Sequence, residues 1–507
     1  MSKPSRRPTR EARKTHHAQV QAARQTLARD QGASLALPKR PSVSNTRCPY
    51  RTPAEEQAAR EEAVAAQLSA YRCVLPQLLK KLAKIPEPRQ PKKLKHKLPV
   101  VLLSGLLRCV FQMASRREAN AELSKPVFFN TLQQLFPDLE TLPHAETLNR
   151  VLARLEVAQL EAAHIALVQQ LIRTKKFQRY VVEQRSPIAI DGTQKLVRTG
   201  QWGGEDWLER RHESEEGPRG QQYVYGLEAN LVFHTGLTVP LLSEFLSSAA
   251  GDPDDHKQDC ERKAFQRLAR RLKGYFKRLP ILLLLDGLYP NGPLMEYCQR
   301  YHGEYLIVLP NKSWPSVWEE VESLRPWQAQ NCRVHTWRGR QQHFWWVNDI
   351  DYYSDPDTKP LRVHGVSCEE HWQEVERESG RIVEKSSRHV WISSRAVRRD
   401  TLHDRCNLGA RYRWGIEINM QVEKRQGYHY EHAFSYNWHA MKGFHQLMRL
   451  AHLLNALAQY TRRVAQQVRT MGVAAFLRLV RDTCAHPWLA PQWIAQFLAT
   501  PGQLRLE

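Results

Sequence analysis

Residues 280–289 read PILLLLDGLY, and the order of those ten side chains decides the fold. Ile281 and four consecutive leucines describe a strand buried on both faces, the pattern of a sheet covered by helices. An unpaired carboxylate in such an interior costs several kcal/mol, so Asp286 is expected at the open end of the strand. The carboxyl ends of strands are where α/β sheets take up ligands, and Gly287 lets the chain turn sharply there. The same Asp would also serve as an ordinary cap on the following turn.

Upstream, PIAIDGT at 187–193 repeats the arrangement: a short apolar strand, then Asp191, Gly192 and Thr193. Taken singly, such a D-G pair marks a turn. Residues 223–233 and 237–245 alternate and are rich in aromatic and β-branched side chains, as in strands. QDCERKAFQRLARRLKGYFKRL at 258–279 reads as a long amphipathic helix feeding the 281–285 strand. Strand, hairpin, helix, strand predicts a mixed α/β sheet flanked by helices. Two strand-end aspartates in one such unit would bring two hard oxygen ligands to one sheet edge, which suits Mg²⁺.

Downstream, ARYRWGIEINMQVEKRQGY at 410–428 carries a third acid, Glu417. At roughly 100° per residue, Arg413 lies about 40° to one side of Glu417 and Lys424 about 20° to that side, so all three share a stripe. One reading is a surface ion pair worth a few tenths of a kcal/mol. The other is a metal-binding acid beside two phosphate-binding bases, Arg413 in bidentate fashion and Lys424 as a point charge.

The chain as a whole has 507 residues, enough for two to four domains. Its 75 Lys and Arg against 52 Asp and Glu leave a net charge of +23, which attracts polyanions, nucleic acid foremost. No amphipathic basic helix with a large apolar face points to a membrane surface instead. The nine cysteines contain no CxxC pair, which disfavours structural zinc and a disulfide framework. LPVVLLSGLL at 98–107 is too short to cross a bilayer, and an Arg-rich N-terminus without an apolar core excludes a secretory signal. A cytoplasmic, nucleoid-associated location is expected.

Five regions are expected. Residues 1–60, with 13 Lys/Arg and few clustered apolar residues, read as a disordered basic arm. Residues 61–180 read as helical and, by charge, DNA-binding. Residues 181–300 with 391–465 form the catalytic α/β domain, 301–390 a β-rich insertion, and 466–507 a helical end. The acidic run Asp252, Asp254, Asp255, His256 and Asp259 reads as a loop and cap entering the 258–279 helix. His439 and His445 fit a polar helical face and are assigned no role.

The ordered acids resemble the DDE transposases of bacterial insertion sequences, whose catalytic domain is RNase H-like. Their third-acid helix reads Tyr-x2-Arg-x3-Glu-x6-Lys, and Arg413, Glu417 and Lys424 stand at that spacing, while Ala410 stands at the Tyr position. KQDCERKAFQRL, LPILLLLDGLY, WPSVWEEVESL, RWGIE and GYHYEHAFSYNWHAMKGFHQL are similar to one subgroup with a long spacing between second and third acids. The resemblance runs from about 140 to 460.

That resemblance implies two Mg²⁺ ions about 4 Å apart, with Mn²⁺ able to substitute, held by Asp191, Asp286 and Glu417. It implies nicking of double-stranded DNA at transposon ends by water, then attack of the freed 3′-hydroxyl on target DNA, by a homodimer on DNA. It further implies an insertion near the active site in which an aromatic stacks on a flipped base. Trp337, Trp345 and Trp346 are placed for that role, with core packing as the alternative for each. The rival readings are a basic DNA-binding protein derived from a transposase without activity, and a structure-specific RNase H-like nuclease.

Overall fold

The computed structural model describes residues 10–30, 50–202, 204, 206–214, 217–248, 259–288, 292–301, 303–311, 313–353, 360–376, 381–502 and 504–506. In chain order the helices are α1 (Arg10–Asp30), α2 (Pro53–Leu82), α3 (Leu98–Val110), α4 (Arg116–Leu123), α5 (Pro126–Leu135), α6 (Ala145–Leu152) and α7 (Val157–Arg173). Strands β1 (Ser186–Thr199), β2 (Leu208–Ser214), β3 (Gly217–Val232) and β4 (Thr238–Phe245) follow, then α8 (Glu261–Tyr275), β5 (Ile281–Leu285), α9 (Gly292–Arg300), β6 (Glu304–Val308) and α10 (Pro315–Leu324). Strands β7 (Cys332–Trp337), β8 (Arg340–Tyr352), β9 (Leu361–Val375) and β10 (Ile382–Ser393) precede α11 (Gly415–Arg425), α12 (Trp438–Gln459), α13 (Arg462–Met471), α14 (Val473–Ala485) and α15 (Pro491–Ala499). The class is mixed α/β, as expected.

The chain divides into two compact units, one of Val43–Leu284 with Asn407–Glu507, the other of Met1–Ser42 with Leu285–Cys406. In the first, β1 is the centre of the sheet. It pairs antiparallel with β3 along one edge and parallel with β5 along the other, Ser186 opposite Ile281 through Ala189 opposite Leu284. The far edge of β3 takes β2 near its start and β4 near its end. β5 is buried at every position, which is why its sequence shows no alternation.

Helix α12 is the packing axis of this unit. Residues 443–458 of it are all buried, and it lies against α2, α3, α6, α7 and β4. The apolar run at 98–107 is accounted for by α3, one of these neighbours. Gly105 is required there, because a Cβ at that position would stand 2.8 Å from Leu148 Cδ2 of α6. Among the described residues no helix is long and apolar enough to cross a membrane.

In the other unit β6, β10, β9, β8 and β7 follow one another in an antiparallel order. Helix α10 packs on β8 in this unit. Residues 10–30, inside the stretch read as a disordered arm, are helical. Val20 and Leu27 of α1 pack with Val375 of β9, an apolar contact that composition alone does not reveal. Residues 1–9 and 31–49 of that arm lie outside the described residues, as do Asp252, Asp254, Asp255 and His256. Asp259 is described: its carboxylate takes Arg267 of α8 and the Cys260 backbone N–H, while the cap position of α8 is Cys260, which makes no side-chain cap bond.

Candidate active site

Asp191 is the sixth residue of β1, not its last. β1 outruns β5 after Ala189, and it continues to Thr199 because β3 still supplies backbone partners on the other edge. The strand-end expectation is corrected in that sense: Asp191 sits where β1 loses one neighbour, so its side chain is only partly covered. Asp191 Oδ1 accepts from the Gly192 N–H at 2.8 Å.

Asp286 follows β5 directly. Its Oδ1 accepts from the Leu288 N–H at 2.9 Å, closing a turn on itself. Gly287 has no room for a side chain, since a Cβ would lie 2.8 Å from Pro310 Cδ.

Glu417 stands in the first turn of α11, and Arg413 in the 3₁₀ turn that leads into it. The i, i+4 pair expected from spacing is present: Arg413 Nη2 donates to Glu417 Oε1 at 2.7 Å. The same guanidinium reaches Asp191, Nη1 to Oδ2 at 3.7 Å, an ion pair too long for a hydrogen bond. Two carboxylates 226 positions apart therefore converge on one cation. Arg413 is nearly buried, with 8% of its side chain exposed, whereas Glu417 is 37% exposed. Nε and Nη1 of Arg413 are themselves buried and, among the described residues, find no hydrogen-bond acceptor.

Asp191 and Glu417 carry hard oxygen donors of the kind a divalent ion takes, but Arg413 is paired with both of them. Among the described residues no group of three or more His, Cys, Asp or Glu side chains is gathered closely enough to hold one unaided. Lys424 lies two turns beyond Glu417 and is paired with Glu431, Nζ to Oε1 at 3.2 Å. In the β-rich unit Trp346 is 4% exposed and belongs to the core, so its faces are not open to a base. Trp345 is half-buried with Arg325 over its ring at 4.3 Å. Trp337 stands edge-on to His403.

A buried polar network behind the site was not read from the sequence. Glu228 of β3, directly opposite Asp191, is fully buried. Its carboxylate pairs with Arg449 and accepts from Ser243 Oγ at 2.6 Å and Tyr430 Oη at 2.9 Å. His445, 1% exposed, adds Nε2 at 3.2 Å from Glu228 and takes Lys195 Nζ on Nδ1 at 3.3 Å. Burial, with Lys195 beside it, holds the imidazole neutral, well below its ordinary range. Lys195 itself is pushed down to about 7 by burial, although Glu423 pulls the other way. Lys195 is the bulged residue where the β1–β3 register shifts, a feature that only the strand pairing reveals.

Residues 79–168, under a fifth of the chain and running from the last turn of α2 into α7, match the family described as DDE_Tnp_1-associated. The chain is related to DDE-family transposases. No curated protein matches it. The matched stretch lies in the helical region, so the relationship rests on a different part of the chain from the three acids.

Proposed function

We propose that the protein is a DDE transposase with an RNase H-like catalytic domain, cutting and joining DNA at the ends of an insertion sequence. The observation that carries this reading is the convergence of Asp191 and Glu417 on Arg413. Asp286 enters this reading by its sequence setting, an apolar run followed by Asp-Gly like that of Asp191. The three carboxylates would hold Mg²⁺ or Mn²⁺. When bound, the metal supplies Lewis-acid activation of water and of a 3′-hydroxyl for attack on a phosphodiester. Arg413 would offer its positive charge to the DNA backbone, and Lys424 would add a point charge once Glu431 yields it. The net charge of +23 favours DNA as the polyanion, and the transposase relationship of residues 79–168 supports the same substrate.

Nicking of DNA carrying the ends of the encoding element, with Mg²⁺ and with Asp191→Ala, Asp286→Ala and Glu417→Ala alongside, tests the reading. Loss of cutting in all three variants, with strand-transfer products from the parent, supports it. Cutting by all three at the parental rate refutes it, and cutting without joining would favour a nuclease. The non-enzymatic rival, a DNA-binding relative, draws on the same geometry, because Arg413 already neutralises both carboxylates.

A further inference from the structure

Glu417 and Asp191 come from different elements, a helix and a strand, and must keep register with each other to within a fraction of an ångström to act together. Arg413 alone does not secure that, since one of its two links is a 3.7 Å ion pair. The buried residue Tyr430, in the loop after α11, meets the helix and both strands that flank the site. Its N–H donates to the Glu423 carbonyl of α11 at 3.1 Å. Its carbonyl accepts Lys195 Nζ of β1 at 2.7 Å, and its hydroxyl donates to Glu228 Oε1 of β3 at 2.9 Å. Lys195 also stands over its ring at 4.3 Å.

Each of these bonds is short, buried and made to a different element. Glu228 is the residue opposite Asp191, so the hydroxyl bond ends one strand away from the first acid. Glu423 lies in the same 11-residue helix as Glu417, and is itself held by His452 Nδ1 at 2.8 Å and by Asn419 Nδ2 at 3.1 Å. We infer that Tyr430 is a positioning residue that clamps the Glu417 helix to the strands around Asp191. The inference rests on the catalytic reading proposed above.

Tyr428 provides a matched control. It lies in the same loop and is likewise buried, but its hydroxyl takes Asn455 Nδ2 of α12 at 2.8 Å and no strand. Tyr430→Phe and Tyr428→Phe each delete one buried hydroxyl, and Glu228 keeps Arg449, Ser243 and His445 in the first variant, so both proteins are expected to fold. Nicking kinetics at varied DNA and Mg²⁺, together with amide hydrogen exchange over residues 415–425, read the result. Tyr430→Phe is expected to lower kcat about tenfold or more at unchanged KM for DNA. It is also expected to raise the Mg²⁺ needed for half-maximal rate and to speed exchange in α11. Tyr428→Phe is expected to shift thermal unfolding comparably while leaving kcat and the Mg²⁺ requirement at the parental values. Equal effects of the two variants, or no effect of Tyr430→Phe, overturn the inference. If the parent cuts no DNA while exchange in α11 still rises in Tyr430→Phe alone, the clamp stands and the catalytic reading fails.

Discussion

Asp191 of β1 lies directly across from Glu228 of β3, so both side chains leave the same face of the sheet, yet they meet opposite surroundings. Asp191 is partly open and faces Arg413 at ion-pair distance, whereas Glu228 is sealed among Arg449, His445, Ser243 and Tyr430. One acid is left partly open and its neighbour is enclosed in the scaffold.

The Glu228–Arg449 pair sets the first prediction. Both groups are buried, and burial holds even the Arg449 guanidinium down to about 9. Arg449→Met would leave the Glu228 carboxylate without its counter-charge, and is expected to cost roughly 3 to 5 kcal/mol in urea unfolding. Adding Glu228→Gln should recover much of that loss. Additive destabilisation in the double variant would show that the two residues act separately.

Packing at Gly192 sets the second. A Cβ there would stand 2.7 Å from Tyr225 Cε1 and 2.8 Å from Glu261 Oε1, two groups hydrogen-bonded to each other. Gly192→Ala is therefore expected to destabilise by about 1 to 3 kcal/mol. Gly192→Ala with Tyr225→Ala should unfold at a higher denaturant concentration than Tyr225→Ala would predict by simple addition.

Lys195 gives a dependence on pH. Its folded value, about 7, lies below the ordinary 10.5, so the unfolded chain binds more protons between those values. Stability contributed by this group therefore rises as pH increases from 7 towards 10, and the penalty of burying the ammonium is fully present below 7. Unfolding free energy measured at pH 7 and pH 9 should increase in the parent and change less in Lys195→Met. An identical slope in the variant would assign the effect elsewhere.

The two adjacent tryptophans of β8 should part company. Trp346→Ala empties a core site and is expected to cost about 3 to 5 kcal/mol of stability. Trp345→Ala removes a half-buried ring under Arg325 and should cost less, about 2 kcal/mol. If Trp345 takes a DNA base, its variant should also bind single-stranded DNA about tenfold more weakly by fluorescence anisotropy. Unchanged binding would confine Trp345 to the fold.

Much of the architecture was legible because it is written in local periods. ILLLL is β5 residue for residue, 238–245 falls inside the expected second hairpin strand, and 261–275 inside the expected long helix. The Arg413–Glu417 pair followed from helical spacing and is present. His445 shows the limit of that method. A polar residue in α12 looked like one on a solvated face, but this helix is covered from several sides, so His445 points into a buried network instead. Asp191 shows another: an apolar run stops at Ile190, but the strand does not, because β3 continues to pair with it.

The chain's own order of residues determined the strands, the helices, the three acids and the strong positive charge, since each depends on side chains within a few positions or on a simple count. Tertiary structure alone decided that Asp191 and Glu417 share Arg413, that Glu228 beside Asp191 is spent on Arg449, and that Tyr430 joins α11 to β1 and β3. The partners drawn from different strands and helices, Asp191 with Arg413, Glu228 with Arg449, and Tyr430 with Lys195 and Glu228, are some 200 positions apart. Burial, which makes their hydrogen bonds strong and their absence costly, is a property of the packed interior and not of any one segment.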